Sequence, residues 1–469
     1  MSQKFMDRIR KQLTGNPEAR FVMINNIEVE EQWAKEEGVH HLPSLSGTSS
    51  QSIRNRMEEL ALLLVSPKDL VVLKAPLDPT FENYVSKIKG FNAQVTSIPK
   101  NQADLDITAN ILASPEGIET VRNLAGPNVY LLPFGVSSQE EKLAELTGIP
   151  LAGCSSIVAR KVNSKIFSRE LNEALGVKQI PGKCCRTLAE LEVAYRELAP
   201  TLHERGKIVI KEALGVSGKG IFVVETPKKF ETLLKLLKRK IKNPETDPLP
   251  LVIEEWVEKA FDFNYQFVIG KDGEVVFDFV KRALTDRGVH QGHLIPSGLS
   301  EEHQKELESL SEQIGKYLFN EGYFGVVGID GILAANGVLY PNLEINARFN
   351  MSSYQATLQE MTLTNEKFAM AACFHTKLPR TYSFFEVEQL LGELNFDDQS
   401  GCGIILQTFA TLNAAHTQNG TKYPGRIYGF VLGNSLEQVQ KLQEEARQRF
   451  KGLEEEIHGD SISSQTNSL

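Results

Sequence analysis

Three polar residues alternate along one short stretch of the chain: Glu344, Asn346 and Arg348, within Leu343-Glu344-Ile345-Asn346-Ala347-Arg348. On an extended strand these i, i+2, i+4 positions share one face. Two oxygen ligands and a guanidinium on one face suit a magnesium–phosphate site. Magnesium takes one or two carboxylates together with phosphate oxygens and water, and an arginine fork matches a phosphoryl group or a developing oxyanion. Asp330 is the further candidate ligand, on a condition of register. A two-residue turn at Asn336-Gly337 would put it on the wrong face. A three-residue loop, Ala335 to Gly337 with Gly337 left-handed, pairs Ala334 with Val338, sets Asp330 opposite Asn342 and brings it to the face of Glu344 and Asn346. The reading therefore predicts that loop or an equivalent bulge. The competing reading is a solvated edge strand, which Pro341 would also fit.

Two weaker patterns stand upstream. Lys211 ends an apolar run and is followed by Gly215-Val216-Ser217-Gly218-Lys219-Gly220. Glycines at Gly215, Gly218 and Gly220 let backbone amides, that of Ser217 among them, approach phosphate oxygens. Ile221-Phe222-Val223-Val224 follows at once, so the loop reads as a hairpin and not as a Walker P-loop, and a plain hairpin turn explains it equally. Glu254, Glu255, Trp256 and Val257 end another strand, with Asp262 close behind. Such a segment can supply an apolar slot, backbone hydrogen bonds and a carboxylate for ribose hydroxyls, or merely be a buried strand end.

The elements that must position these residues follow from periodicity. Phe21–Ile24, Leu70–Leu73 and Val129–Leu132 read as buried strands, and 52–64 and 115–124 as helices, a parallel α/β pattern. No G-x-G-x-x-G follows these strands, which argues against a nucleotide there. Asn163–Leu175 is predicted helical with Gly176 as its stop, and Thr187-Leu188-Ala189-Glu190 as a capping box. Hairpins are expected across 271–273 and around Asn336-Gly337, with a long helix over 300–321 between them. Strands at 403–410 and 425–433 precede an amphipathic helix over 435–450.

The chain has 469 residues, which suggests about three domains of roughly 150 residues. Its formal net charge of −9 lacks the basic field of nucleic-acid binding. No stretch has the apolar length of a signal peptide or membrane span. Five scattered cysteines, Cys154, Cys184, Cys185, Cys373 and Cys402, argue against a disulfide framework and for a reducing cytoplasm.

Taken in order, Lys165, Lys211, the glycine loop, Glu254-Glu255-Trp256-Val257, Asp262, Asp330 and Glu344-Ile345-Asn346 resemble the motifs of the ATP-grasp superfamily over roughly residues 155–375. The resemblance implies a fold of α/β and α+β parts. An N-terminal Rossmann-like pre-ATP-grasp domain would cover 1–157, and an ATP-grasp core of two α+β subdomains 158–376. A small α+β C-terminal domain would cover 377–458, and a disordered tail 459–469. By resemblance, ATP is bound with Mg²⁺, two ions being expected. Lys165 and Lys211 contact its phosphates, Glu254 to Val257 form the adenine hinge, and Asp262 binds ribose. Asp330, Glu344 and Asn346 hold magnesium, and Arg348 stabilises the transferred phosphoryl group, with Lys211 as its catalytic companion. Domain order and the strand-rich C-terminal segment resemble pheganomycin-type peptide ligases and the glutamate–carrier-protein ligase of butirosin assembly.

The implied activity is a carboxylate–amine ligase acting through an acyl phosphate on amino-acid-like small molecules. A ligase that loads a carrier-protein thiol is the alternative within the class. A small-molecule kinase or carboxylase, or an ATP-binding module without turnover, are alternatives outside it. A homodimer is left open, and neither nucleic acid nor membrane is an expected partner. Many relatives carry a glycine pair after the Asn-x-Arg motif. Here the run is Asn350-Met351-Ser352-Ser353, so Ser352 and Ser353 are candidates to hold the substrate carboxylate. The polar stretch 281–297 reads as a substrate lid or a surface loop. In it Arg282 and Arg287 are candidates for a carboxylate, and His290 and His293 for the amine proton. A zinc reading of His290-x-x-His293 lacks a third ligand nearby. The basic helix with Lys228, Lys235, Lys238 and Arg239 is read first as a solvated face and second as a dock for an acidic carrier protein.

Overall fold

A computed structural model describes residues 4–42, 49–215, 220–286, 289–363, 367–417 and 421–454. The expected tail from residue 459 lies outside them.

The first strands are apolar on both faces because helices cover both. β1 (Arg20–Ile24), β2 (Leu70–Leu73), β3 (Gln94–Ser97) and β4 (Val129–Pro133) form a parallel sheet in the order β3-β2-β1-β4. The chain order reverses between β1 and β4, and a parallel sheet opens a crevice at the carboxyl ends of strands beside such a reversal. The helix expected over 52–64 is instead a short helix, Ser49–Arg54, and a 3₁₀ turn, Met57–Leu63. Glu58 and Glu59 lie inside that turn and are both buried. Their need for partners overrides the apolar periodicity that suggested one continuous helix.

The second unit is antiparallel: β5 (Gly182–Cys185), β6 (Ile208–Glu212), β7 (Ile221–Val224) and β8 (Leu251–Glu255), in the order β5-β8-β6-β7. The helices Leu188–Arg205 and Pro227–Lys240 pack on it around Leu188, Leu191, Phe230, Leu233 and Ile253, a core of its own. Only half of the expected capping box forms. Thr187 accepts from the Glu190 amide, while the Glu190 carboxylate accepts from the Arg186 amide.

The third unit is one eight-stranded antiparallel sheet. It comprises β9 (Lys259–Ile269), β10 (Val275–Asp286), β11 (Val289–Ile295), β12 (Gly325–Ala334), β13 (Leu339–Asn346), β14 (Phe368–Leu378), β15 (Gly403–Leu406) and β16 (Tyr423–Gly433). The strand order is β13-β12-β9-β10-β11-β14-β16-β15. β14 runs across the boundary expected at 376/377, so the last segment continues the sheet that carries the candidate site. It also shares a core with the first unit: Phe384 packs at 5.0 Å from Phe81 and 5.1 Å from Tyr84, ring centre to ring centre. All five cysteines are free thiols. Among the described residues no helix is long and apolar enough to cross a membrane.

Candidate active site

The hairpin of β12 and β13 turns through Ala335 to Gly337, with Gly337 at φ 80° and Ala334 donating to Val338 O at 2.9 Å. That is the three-residue loop the register argument required. A bulge between Asp330 and Ile332 then moves the pairing by two residues, so Asp330 stands opposite Glu344 and not Asn342. A shift of two preserves the face. Asp330 accepts from Asn346 Nδ2 at 2.9 Å and from Asn264 Nδ2 at 2.8 Å. Burial, and next the charge of Glu344, push its carboxyl up to about 6.

β13 is the sheet edge, as Pro341 suggested, and the helix Lys165–Leu175 covers it. Ser168 Oγ accepts the Ile345 amide at 3.0 Å, and Asn172 exchanges hydrogen bonds with Asn342. The same helix starts with Lys165. Its Nζ reaches Glu344 Oε1 at 2.6 Å and Gly215 O at 3.2 Å, tying the carboxylate to the start of the glycine loop. One cleft is lined by Lys165, Gly215, Gly220, Asp262, Asn264, Thr285, His293, Asp330, Glu344, Asn346, Arg348 and Asn350, with Met351, Phe263 and Ile221 as apolar surface. Of the loop between the two glycines, 216–219 lie outside the described residues, and with them Ser217 and Gly218, expected at the phosphates.

Arg348 is held from four sides. It donates to Glu30 Oε1 (2.8 Å from Nε, with a second contact from Nη2), to Asn346 Oδ1 at 2.8 Å and to Phe349 O at 3.0 Å. Its guanidinium lies 5.2 Å from the ring centre of Phe134. Glu30 follows β1 and Phe134 follows β4, so Arg348 stands at the crevice where the first sheet reverses. A Cβ at Gly135 would press on Val29 at 2.9 Å, so the backbone there is packed tightly beside the arginine.

Other expected residues, Asp262 apart, fall elsewhere. Lys211 does not line the cleft. Its ammonium pairs with Glu254, which also takes Arg169 at 3.1 Å and is 4% exposed. Glu254 is thus held between two cations. The Glu255 and Trp256 amides are spent on Pro181 O and Lys207 O. Val257 N makes no backbone hydrogen bond among the described residues and is the donor left on this strand end. Lys207 Nζ lies 5.3 Å from the Trp256 ring centre. Asp262 pairs with Lys259 and accepts from Thr285 Oγ1 at 2.6 Å.

Among the described residues, the stretch 281–297 is mostly strand and not a loop. Its described strands are the end of β10 and all of β11, paired as an antiparallel ribbon. Arg287 and the side chain of His290 lie outside the described residues. His293 is buried in the cleft wall. Arg282 stacks over Phe261 at 4.4 Å, away from the cleft face of its neighbour Ala283. Ser352 and Ser353 do not present hydroxyls to the cleft. Both are fully buried, Ser352 Oγ donating to Asn264 Oδ1 at 2.7 Å and Ser353 Oγ to Gln266 Oε1 at 2.5 Å. Their hydroxyls brace β9, because the two serines sit in the turn that the strand must support.

Glu30, Asn264, Thr285 and Asn350 were not singled out from the sequence. Asn264 had a signal: Asp262, Asn264 and Gln266 alternate with the buried Phe263, Tyr265 and Phe267. Glu30 had none, since its pairing with Arg348 joins distant parts of the chain.

Among the described residues no three His, Cys, Asp or Glu side chains converge as a metal site. The set here is two carboxylates and an amide. It fits a hard divalent cation on the chemistry of its donors: two like-charged carboxylates directly opposite each other, one raised by the other's charge, want a positive group between them. Lys165 supplies that charge in this structure.

Residues 57–149 match the pre-ATP-grasp domain and residues 152–352 the ATP-grasp domain. The chain thus carries a pre-ATP-grasp domain followed by an ATP-grasp domain and is an enzyme of the ATP-grasp ligase type. Among curated proteins it is 26% identical over 316 residues to the [butirosin acyl-carrier protein]–L-glutamate ligase of Niallia circulans, covering 67% of this chain and 69% of that one. Among solved structures it resembles an ADP complex of N5-carboxyaminoimidazole ribonucleotide synthetase, with TM-score 0.53, 14% identity, and 91% and 96% of the two chains covered. The Aspergillus clavatus N5-carboxyaminoimidazole synthase, solved with ADP and 5-aminoimidazole ribonucleotide, aligns with TM-score 0.50 at 14% identity over 92% and 99% of the two chains. At that identity the likeness is one of fold.

Proposed function

We propose that this protein joins a carboxylate to an amine at the expense of ATP, through an acyl phosphate, on amino-acid-like substrates. The observation that carries the proposal is the single cleft in which Lys165, Asp330, Glu344, Asn346 and Arg348 converge beside the crevice of the first sheet.

In this account ATP lies between the second unit and the large sheet. Val257 N offers the donor for the adenine edge, Trp256 the apolar wall, and Asp262 an acceptor for ribose. Lys165 leaves Glu344 for the phosphates, and Lys211, steadied by Glu254, keeps positive charge at the adjacent strand end. Magnesium on Asp330, Glu344 and Asn346 would neutralise phosphate charge when bound. A substrate carboxylate oxygen attacks the γ-phosphorus, and ADP departs. The amine then attacks the acyl carbon, loses a proton and expels inorganic phosphate. Arg348 donates to the transferred phosphoryl group and then to the oxyanion, while Glu30 and Phe134 fix its plane. His293, buried in the same wall, is the candidate to take the amine proton. No covalent nucleophile on the protein is required, because positioning and charge stabilisation carry such transfers.

The name of the Niallia relative supports a second acceptor, a carrier-protein thiol. One experiment separates the readings: magnesium-dependent phosphate release across amino acids offered singly, in pairs, and with a phosphopantetheinylated carrier protein. Release needing a particular pair, with a condensed product by mass, supports the amide ligase. Release needing one amino acid together with the carrier thiol supports the thioester. A stable phosphorylated substrate would replace both with a kinase.

A further inference from the structure

A second cavity, of about 410 Å³, lies away from the nucleotide cleft, where the carboxyl ends of β2 and β3 meet the last segment of the chain. Its walls carry two cations, Arg56 and Lys74, two carboxylates, Glu59 and Asp78, and apolar surface from Pro76 and Phe409. None of these residues lines the nucleotide cleft.

Each polar group keeps unused bonding capacity. Arg56 spends Nε on Glu58 at 3.0 Å, and its Nη atoms make no hydrogen bond among the described residues. Lys74 is 1% exposed and donates to Leu105 O at 2.5 Å, leaving further donors on its ammonium. Glu59 is 2% exposed. Its Oε2 accepts the Phe409 and Ala410 amides at 2.6 and 2.7 Å, while Oε1 makes no hydrogen bond among the described residues. Asp78 caps the helix Pro79–Lys89 through Oδ1 alone, accepting the Thr80 and Phe81 amides at 2.9 and 3.0 Å.

Buried charges that lack full partners are costly, and a ligand bearing both signs relieves both kinds at once. Cations and carboxylates thus line the same cavity, which suits a dipolar ligand better than a polyphosphate or a metal ion. Burial lifts Glu59 to about 7 against the opposing pull of Arg56, and lowers Lys74 against that of Glu58 and Glu28. The volume lies within the range of about 300–1,000 Å³ typical of small-molecule sites.

We propose that this cavity binds a free α-amino acid, with Arg56 and Lys74 holding the carboxylate, Glu59 and Asp78 the ammonium group, and Phe409 and Pro76 the side chain. The ligand joins the first unit to the last segment, because Glu59 already holds the backbone of Phe409 and Ala410. The site is independent of the proposed ligase reaction.

Calorimetric titration of the full chain without nucleotide tests it, using each proteinogenic L-amino acid and the N-acetylated form of any that binds. At least one free amino acid is expected to bind saturably, and its N-acetyl derivative not to bind. Asp78→Asn keeps the helix cap, since asparagine caps as well as aspartate, but removes the charge. It is expected to weaken binding about 10–100-fold, and Arg56→Gln by a similar factor, the loss of one charge-assisted contact. Lys165→Ala in the nucleotide cleft should leave the affinity unchanged. Absence of binding by every amino acid, equal binding of the N-acetyl form, or binding that survives Asp78→Asn and Arg56→Gln overturns the proposal. Loss of binding in Lys165→Ala alone would move the amino acid to the nucleotide cleft and overturn it as well.

Discussion

Replacing Arg348 by alanine removes the group that meets developing negative charge in both chemical steps. A preorganised donor of this kind contributes about 2.7–4 kcal/mol, so kcat is expected to fall about 10²–10³-fold. The structure adds a second term. Glu30, 8% exposed, loses its cation, and the lost buried hydrogen bonds cost about 1–3 kcal/mol of folding stability. Two further variants separate the terms. Arg348→Lys keeps charge beside Glu30 but loses the fork, so it should fold like the wild type and still turn over slowly. Glu30→Gln leaves Arg348 in place and weakens charge-assisted bonds to neutral ones, a difference of about 1 kcal/mol and about fivefold in rate. The assay is the initial rate of phosphate release at saturating ATP and substrates, with each variant's thermal midpoint recorded beside it. Near-full turnover in Arg348→Ala would remove it from the chemistry. A larger rate loss in Glu30→Gln than in Arg348→Ala would mean that Glu30 contacts substrate itself.

Further outcomes follow from the same contacts. Asn264→Ala strips Asp330 of a donor that orients it, and should weaken magnesium binding about 10–100-fold in a titration of nucleotide-dependent thermal stabilisation; an unchanged affinity would make Asn264 a bystander. Arg10 and Asp69 form an ion pair with both side chains fully buried, so Arg10→Ala should cost about 3–5 kcal/mol in chemical denaturation, and a loss within error would show that Asp69 is solvated there. Burial, and then the charge of Asp106, push Glu28 up to about 8 from 4.5. The folded protein therefore binds the extra proton, and this residue's contribution falls as pH rises from about 4.5 to about 8. Glu28→Gln should flatten the decline of thermal midpoint across that window, and an identical slope would mean that Glu28 is ionised in the fold.

Much of the site was legible because it lies on regular elements. Alternation placed Glu344, Asn346 and Arg348 on one strand face, and the parity of a hairpin brought Asp330 to the same face even though a bulge changed its partner. The helix expected over Asn163–Leu175 forms as Lys165–Leu175, Asn163 ending the short helix before it, and its glycine stop Gly176 is left-handed. What failed depends on contacts across the fold. The 281–297 stretch looks polar because Thr285 and His293 of its strands line the cleft, and polarity there imitates a loop. The two serines after Asn350 look like ligands in sequence, but Gln266 and Asn264, brought from β9, absorb their hydroxyls. β14 escaped notice because its outer half alternates while its inner half is continuously buried, so neither period dominates. Glu30 was invisible for the plainest reason: the sheet reversal that carries it to Arg348 exists only once the first unit has folded.

The account rests on an acyl phosphate, and oxygen transfer tests that most directly. With the donor substrate labelled with ¹⁸O in its carboxylate, the reaction is run in unlabelled water, and the released inorganic phosphate is analysed by mass spectrometry. The account predicts one ¹⁸O atom per phosphate, alongside ADP and the condensed product. Phosphate free of label, or AMP in place of ADP, would contradict it.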